Sequence, residues 1–226
     1  MLELQSISKT FHPGTIHAKK ALQNLSLSLN DGDFVTVIGG NGAGKSTLLN
    51  AIAGVWPVDE GSILIDGVDV TGLPEYKRAA FIGRVFQDPM LGTAPNMQIE
   101  ENLALALRRG KKRTLRWGVT KQEREDYYER LHALGLGLEK RMTDKVGLLS
   151  GGQRQALTLL MASLQKPKLL LLDEHTAALD PATAAKVLEL SDKIVEENGL
   201  TALMITHNMK DAIAHGNRLI MMDAGQ

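Results

Sequence analysis

The chain has 226 residues, 43% of them hydrophobic, which is enough for the core of one large domain or of a domain with a subdomain. Its 26 basic and 26 acidic side chains balance, so no overall field favours nucleic acid or a membrane surface, and the absence of cysteine excludes a disulfide framework. No run approaches the roughly 18 apolar residues that span a bilayer, and residues 1–5 lack a signal-like pattern, so any membrane function is expected to need a partner chain.

Strand patterns come first along the chain. Residues 25–29 alternate between apolar and polar side chains, which predicts a half-buried strand, and residues 30–33 are typical of a turn. The apolar run at residues 34–38 predicts a second strand that is buried on both faces. This second strand leads directly into a glycine-rich segment.

Residues 39–47 have a phosphate-binding pattern, in which a glycine is followed by four residues and then by Gly-Lys-Ser/Thr. Glycines let the chain curl with its N–H groups pointing inward around a polyphosphate. Lys45 adds a positive charge for the β- and γ-phosphates, and the Ser46 hydroxyl is placed to bind Mg²⁺. A helix predicted from about Lys45 directs its positive dipole end at the same anion. With a strand before and a helix after, an ordinary glycine-rich turn is a poor explanation, and the segment predicts a nucleoside triphosphate site.

The remaining elements alternate between strands and helices. Asp66-Gly67 lies between two short strand patterns and predicts a hairpin. Further strands are predicted at residues 80–86, 168–173, 201–206 and 218–222, and helices at about 121–134, 181–197 and 208–214. This alternation predicts a parallel sheet, interrupted between about residues 90 and 165 by a mostly helical insertion.

A second motif lies near the end of that insertion. Ser150 is a good N-cap residue, and the two glycines after it leave the helix end open to an anion, although Ser-Gly-Gly is also typical of a turn. The apolar run at residues 169–172 suits a central parallel strand and ends in Asp173-Glu174. A carboxylate there faces the ligand crevice of an open sheet. Because neighbouring residues on a strand point to opposite sides, Asp173 and Glu174 are predicted to have separate roles.

With these motifs in this order, the chain resembles the ATP-binding subunits of ABC transporters along nearly its whole length. The elements in common are the phosphate loop at 39–47, Gln87 after a strand, Leu-Ser-Gly-Gly-Gln at 149–153, Asp173-Glu174, Ala-Leu-Asp at 178–180 and His207 after a strand. The resemblance implies an α/β fold: a P-loop NTPase core with a mostly parallel sheet, an antiparallel β subdomain and a helical insertion. It implies a single ABC ATPase domain over residues 1–226, with the core at about 1–88 and 166–226 and the helical subdomain at about 89–165.

The resemblance also implies an ATP hydrolase that uses Mg²⁺. Its catalytic residues would be Glu174 as the general base, His207 as the switch histidine at the γ-phosphate, and Gln87 as the sensor of the metal and the water. Mg²⁺ would be held by Ser46, Gln87 and Asp173. Phe11 has the position of a ring that stacks on adenine, and a core role for it is the alternative. The residues implied for ATP are Phe11, Gly39, Gly40, Asn41, Gly42, Ala43, Gly44, Lys45, Ser46, Thr47, Ser150, Gly151, Gly152 and Gln153.

The implied partners follow from the same resemblance. Residues 150–153 would complete the ATP site of a second copy in a head-to-tail homodimer. The chain would be peripheral at the cytoplasmic face of the cell membrane, bound to transmembrane permease subunits that work with a substrate-binding protein, and no nucleic acid is expected. Import of a small solute is expected, because the string Asp-Glu-His-Thr-Ala-Ala-Leu-Asp at residues 173–180 resembles one subgroup of bacterial importer ATPases, some of which serve an aromatic amino acid.

Two other classes of function stay open at this point. An exporter or a lipoprotein-releasing ABC system would carry the same core motifs. A soluble ABC ATPase of translation or DNA repair is disfavoured, because translation-type members fuse two units and the interval between Gln87 and Ser150 is too short for the long coiled coil of repair-type members.

Two positions depart from the family pattern, since Gly40 stands where many members have proline and His175 stands where most have proline. His175 either tunes Glu174 electrostatically or fills space. The basic run at residues 108–113, followed by Arg116 and Trp117, is predicted to be a solvated loop, with contact to anionic lipid headgroups as the alternative.

The segment between Gln87 and residue 102 is expected to form a groove for a short helix of the permease. The reasons are the family resemblance and the link of Gln87 to the nucleotide site. Met90, Leu91 and Met97 are expected either to line this groove or to belong to the core, and Glu100 is expected at an exposed position in it.

Overall fold

The computed structural model of the chain describes residues 1–111 and 118–226. Within these residues the strands are β1 (Leu2–Phe11), β2 (Lys19–Leu29), β3 (Phe34–Gly39), β4 (Glu60–Ile65), β5 (Val68–Asp69), β6 (Ile82–Val85), β7 (Leu169–Asp173), β8 (Ala202–Ile205) and β9 (Arg218–Met222). They form two sheets, one with the order β2-β1-β4-β5 and one with the order β6-β7-β8-β3-β9.

The helices within the described residues fall between these strands. They are α1 (Lys45–Ala53), α2 (Glu75–Arg78), α3 (Ile99–Leu107), α4 (Lys121–Ala133), α5 (Gly151–Ser163), α6 (Pro181–Asn198) and α7 (Met209–Ala214), with short 3-10 turns at Leu138–Lys140 and Val146–Leu148. None of them is both long and apolar enough to cross a lipid bilayer. The α/β fold class predicted from the sequence is confirmed, with a parallel sheet, an antiparallel sheet and a helical region between β6 and β7.

The antiparallel sheet is built around β1, which pairs on one side with β2 and on the other with β4. The predicted hairpin at Asp66-Gly67 is present, and it joins β4 to β5. Both turn residues have positive φ, 53° at Asp66 and 75° at Gly67, which is the twist that a two-residue hairpin needs.

The larger sheet is parallel throughout, since β6 pairs with β7, β7 with β8, β8 with β3 and β3 with β9 in the same direction. Strand β7 lies inside this sheet, and its four leucines at residues 169–172 are fully buried. This agrees with the prediction of a central parallel strand, because such a strand is covered on both faces.

The parallel sheet separates two hydrophobic cores. Leu170 and Leu172 of β7 pack into a core shared with helices α3, α4, α5 and α6. Leu169 and Leu171 point the other way, into a core shared with α1 and the antiparallel sheet. Burial of each such leucine contributes about 1.5–3 kcal/mol, so β7 is held from both sides.

Several helices begin where the sequence places a capping residue. Ser150 is the N-cap of α5, and its hydroxyl accepts a hydrogen bond from the backbone N–H of Gln153. Asp180 caps α6 in the same way through the N–H of Thr183, and Pro181 occupies the first helical position. These caps satisfy N–H groups that have no partner within the helix, and Pro181 has none to satisfy.

Candidate nucleotide site

The predicted site residues follow strands that are neighbours in the parallel sheet. Gln87 comes after β6, Glu174 after β7, His207 after β8 and the glycine-rich loop after β3. Because all four strands run in the same direction, their carboxyl ends meet at one edge of the sheet, which is where open α/β sheets bind ligands.

The loop between β3 and α1 has a conformation that only glycine can adopt at two positions. Gly39 has φ 155° and Gly44 has φ 102°, and a Cβ atom would lie 2.4 Å from the carbonyl oxygen of Met222 at the first and 2.5 Å from that of Ala21 at the second. No atom lies within 4 Å of a Cβ built on Gly40, so the replacement of the usual proline there leaves open space. Lys45 is buried, and its Nζ donates to the carbonyl oxygens of Gly39 at 2.8 Å and Gly40 at 3.1 Å.

A cavity of about 190 Å³ opens over this loop. It is lined by Phe11, Lys19, Ala21, Asn41, Gly42, Ala43, Gly44, Lys45, Ser46, Thr47, Glu174 and His207. The structure therefore brings together most of the loop, the predicted aromatic residue and two of the predicted catalytic residues.

Phe11 is held in place by a second aromatic residue. The ring of Trp56 meets the Phe11 ring edge-on, with centroids 5.0 Å apart and an interplanar angle of 83°. Such an arrangement is favourable because the positive edge of one ring faces the negative face of the other. Phe11 is half-buried and lines the cavity, so it is outside the buried core. Trp56 was not predicted as a site residue, because it is 45 positions away from Phe11 and carries no motif of its own.

Glu174 and His207 form a direct pair at the mouth of the cavity. The imidazole Nε2 of His207 lies 2.6 Å from Oε1 of Glu174, and the carboxylate is 12% exposed while the imidazole is 47% exposed. The backbone of Glu174 has φ 44°, which is unusual for a residue with a side chain, and its N–H donates to the carbonyl oxygen of Ile205 at 3.0 Å. The end of β7 is thereby fastened to the end of β8.

Asp173 lies at the end of β7, outside the lining of the cavity, and Oδ2 of its carboxylate is 3.2 Å from Nη2 of Arg84. Gln87 is exposed and also lies outside the lining. The oxygen donors of Ser46, Gln87 and Asp173 are of the kind that Mg²⁺ prefers. Among the described residues no cluster of three or more His, Asp or Glu side chains has the spacing for a metal ion.

The predicted signature residues lie elsewhere on the molecule, at the start of α5, and none of them lines the cavity. Ser150 and Gln153 form a reciprocal capping box, in which each side chain accepts a hydrogen bond from the other's backbone N–H. Gly151 is exposed. Gly152 is buried against α6, where a Cβ atom would lie 2.1 Å from Cγ2 of Thr183, so close packing within the chain requires this glycine.

A larger groove of about 1260 Å³ lies between the parallel sheet and the helical region. Leu91 and Met97 line it, as one of the two alternatives predicted, whereas Met90 does not, and its sulfur accepts a hydrogen bond from Arg154. The prediction that Glu100 is exposed is wrong. Glu100 is 4% exposed, and both of its carboxylate oxygens accept hydrogen bonds from Arg124, at 2.7 and 2.8 Å.

His175 is buried behind the site, where its Nε2 lies 2.9 Å from the hydroxyl of Ser191 on α6. The Ser191 hydroxyl donates to the carbonyl oxygen of Val187, so it accepts from an Nε2–H of the imidazole. Burial, together with a smaller effect of the charge of nearby His215, lowers the pKa of His175 to about 4. The side chain is therefore a neutral imidazole at neutral pH.

Only the first part of the predicted basic run lies within the described residues, and positions 112, 113, 116 and 117 lie outside them. Arg108 is hydrogen-bonded to Glu123 at 2.8 Å and to the carbonyl oxygen of Gly118. Arg109 is half-buried, and burial lowers the pKa of its guanidinium. These two arginines therefore belong to the packed helical region and not to a freely solvated loop.

Comparisons with known proteins show the family to which the chain belongs. The family model described as ABC transporter matches residues 22–177, which is more than half of the chain. The tyrosine transport ATP-binding protein of Clostridioides difficile (strain R20291) is 48% identical over all of this chain and 90% of that protein. The spermidine/putrescine import ATP-binding protein PotA of Haemophilus influenzae is 35% identical, and this chain spans 56% of its length.

Solved structures match along the whole chain. The dimeric structure of the ATP-binding cassette MJ0796 in a post-hydrolysis state, bound to ADP and Pi, has a TM-score of 0.83 and 33% identity, and the match covers 100% of this chain and 95% of that one. A nucleotide-free ATP-binding cassette from an ABC transporter has a TM-score of 0.80 and 28% identity, with 100% of this chain and 88% of that one covered.

The match of the whole chain to solved structures shows that its fold is that of an ATP-binding cassette. The chain belongs to the ABC transporter family, as an ATP-binding subunit, and it is an ATP hydrolase of that class.

Proposed function

We propose that this chain is the motor subunit of a membrane importer, and that it couples ATP hydrolysis to the uptake of a small solute of the amino-acid class. The name of the clostridial relative supports this, because it is a tyrosine transport protein and the similarity extends over the whole of this chain. The polyamine relative and the methionine import protein MetN of Corynebacterium diphtheriae, which is 37% identical, are also named as import proteins.

In this proposal the glycine loop holds the triphosphate. The backbone N–H groups of the loop would bind the phosphates, and Lys45 would turn its ammonium group from the carbonyl oxygens of Gly39 and Gly40 to the phosphates. Mg²⁺, when bound, would neutralise charge on the phosphates, with Ser46, Asp173 and Gln87 as its protein ligands. Phe11, braced by Trp56, stacks on the adenine ring.

The observation that carries the hydrolytic role is the contact of Glu174 with His207 over the loop. The Glu174 carboxylate accepts the proton of the attacking water, and its low exposure limits competition from bulk solvent. The imidazole of His207 fixes one carboxylate oxygen and leaves the other for the water. Both residues follow neighbouring buried strands, so their relative position is set by the sheet.

We further propose a head-to-tail homodimer, in which the start of α5 from one copy closes the ATP site of the other. Residues 150–153 of this chain lie outside its own cavity, as such an arrangement requires. A solved relative is dimeric, which supports the formation of a dimer. ATP then stabilises the dimer, because it binds surfaces of both copies at once.

The permease is proposed to insert a short helix into the large groove. Leu91 and Leu105 support this role, because both line the groove and are 70% and 53% exposed, respectively, which leaves apolar surface for a partner to cover. The chain would then be peripheral at the cytoplasmic face of the membrane, with a substrate-binding protein delivering the solute on the other side.

The hydrolytic part of the proposal is tested with Glu174→Gln. This variant keeps the phosphate cradle and removes the base, so it is expected to bind ATP, to lose nearly all turnover and to accumulate as an ATP-bound dimer in size-exclusion chromatography. Near-normal phosphate release by the variant would contradict the role of Glu174 as the base.

The transport part is tested by purifying the chain with its membrane subunits and reconstituting the complex in liposomes. Uptake of radiolabelled tyrosine, methionine and spermidine is then compared, with ATP supplied on the side of the ATP-binding subunit. ATP-dependent accumulation of an amino acid supports the proposal. Accumulation of spermidine alone would replace the substrate class, and ATP-dependent release of solute would favour an exporter.

A further inference from the structure

Arg84 contacts the predicted metal-binding carboxylate from the side of the large groove. Its Nη2 lies 3.2 Å from Oδ2 of Asp173, and the two side chains are only 13% and 16% exposed. Its guanidinium carbon lies 4.6 Å from the centroid of the Phe86 ring, one residue before Gln87. Both Arg84 and Phe86 line the groove. The guanidinium therefore lies between the groove and the end of β7.

The hydrogen bonding of Arg84 is incomplete for an arginine that is largely covered by protein. Its Nε is buried without a hydrogen-bond partner, and the contact with Asp173 is its one ion pair among the described residues. Arg78 offers a contrast within the same protein, because its three guanidinium nitrogens donate four hydrogen bonds to backbone carbonyl oxygens at 2.7–2.9 Å. The fully hydrogen-bonded guanidinium of Arg78 has a structural role, whereas the guanidinium of Arg84 depends mainly on one carboxylate.

Two cations would compete for that carboxylate. A divalent ion and a guanidinium that share one carboxylate repel each other across a few ångströms of low-dielectric surroundings. An Asp173 carboxylate at this largely covered position would be costly without either partner, because a charge shielded from water needs compensation. Arg84 supplies that compensation in the structure as it stands.

We propose that Arg84 is a positioning residue that holds Asp173 before Mg²⁺ binds and releases it when the metal binds, so that Arg84 sets the Mg²⁺ concentration at which the site fills. The inference rests on the proposed function, in which Asp173 is a ligand of the metal. It deepens that proposal by assigning a role to a residue outside the family motifs.

The test compares Arg84→Met, which keeps the length of the side chain but removes its charge, with Arg84→Lys, which keeps the charge. The readout is the Mg²⁺ concentration that half-saturates binding of a fluorescent ATP analogue, measured by anisotropy in the Glu174→Gln background so that no hydrolysis occurs. We expect this concentration to be roughly three- to tenfold lower in Arg84→Met than in the parent. It should change much less in Arg84→Lys. An unchanged or higher concentration in Arg84→Met would overturn the inference.

A second readout separates positioning from a merely structural role. Thermal unfolding is recorded with and without Mg²⁺-nucleotide for each variant. Loss of Arg84 is expected to destabilise the metal-free protein more than the metal-bound protein, so Mg²⁺-nucleotide should raise the melting temperature of Arg84→Met by more than that of the parent. A structural arginine would lower both melting temperatures equally, and that result would overturn the inference.

Asp173→Asn distinguishes failure of the inference from failure of the proposed function. If Asp173→Asn leaves the Mg²⁺ dependence unchanged, Asp173 is not a metal ligand, and both the metal assignment and the inference fail. If Asp173→Asn shifts the dependence while Arg84→Met does not, the inference alone fails. In the double variant, Arg84→Met should have no further effect, because its only route to the metal runs through Asp173.

Discussion

The burial of His175 predicts an acid-sensitive step in the stability of the fold. The imidazole is hydrogen-bonded to Ser191 in its neutral form, and burial lowers its pKa from 6.5 to about 4. In the unfolded chain the same group takes up a proton at its ordinary pKa. The unfolded state therefore binds more protons between pH 6.5 and about 4, so stability rises with pH across that window and is lost as the pH falls through it.

The magnitude follows from the two pKa values. Their difference corresponds to roughly 3 kcal/mol between the neutral and the charged side chain, of which about 2 kcal/mol is lost by pH 5. Well below pH 4 both states are protonated, and His175 contributes no further change. Well above pH 6.5 both states are neutral at His175, and its contribution is complete.

His175→Gln is the matched variant, because a glutamine amide can still donate to Ser191 but does not titrate. Urea unfolding followed by circular dichroism at pH 7 and pH 5 gives the free energy of unfolding of both proteins. The parent should lose about 2 kcal/mol more than the variant between these pH values, since the carboxylates that also titrate are common to both. Parallel losses in the two proteins would refute the reasoning.

Three other predictions concern the signature helix, the dimer and the groove. Gly152→Ala should lower the free energy of unfolding, measured in urea, by about 1–3 kcal/mol through contact with Thr183. Adding Thr183→Ser, which removes the clashing methyl group, should restore most of the lost stability, and no restoration would place the strain elsewhere. Lys45→Ala should weaken ATP binding roughly tenfold or more in calorimetry, whereas Ser150→Arg should spare ATP binding but block dimerisation. A mixture of the two variants should form a dimer with one intact site, and a mixture that stays monomeric would contradict the head-to-tail arrangement. Leu91→Asp should reduce co-purification with the permease while Val68→Asp, an exposed apolar position outside the groove, should not, and equal binding by both would move the docking surface.

The features that the sequence predicted well are those governed by neighbouring residues. The loop at residues 39–47, the hairpin at Asp66-Gly67 and the capping of α5 by Ser150 each depend on a few positions whose backbone conformation is local. The order of strands and helices was also predictable, because the spacing of apolar residues along the chain changes where a strand gives way to a helix. The edge at which the candidate site lies was predictable once the sheet was known to be parallel.

The features that were missed depend on residues far apart in the chain. Glu100 has the charge and the helix-start position of an exposed residue, but Arg124, 24 positions later, covers it and pairs with it. The contact of Arg84 with Asp173 joins residues 89 positions apart, and no motif marks either one as a partner of the other. The need for glycine at position 152 likewise comes from a threonine on another helix, which no local pattern records.

The placement of β7 between two cores determines how this strand takes part in local opening of the fold. Its even-numbered leucines face one core and its odd-numbered leucines face the other, so no partial opening that separates only one core from the sheet can free this strand. The amide hydrogens of β7 should therefore exchange with solvent only through nearly global unfolding. Asp173 ends that strand and Glu174 follows it, so both carboxylates of the site are attached to the backbone that is expected to open last.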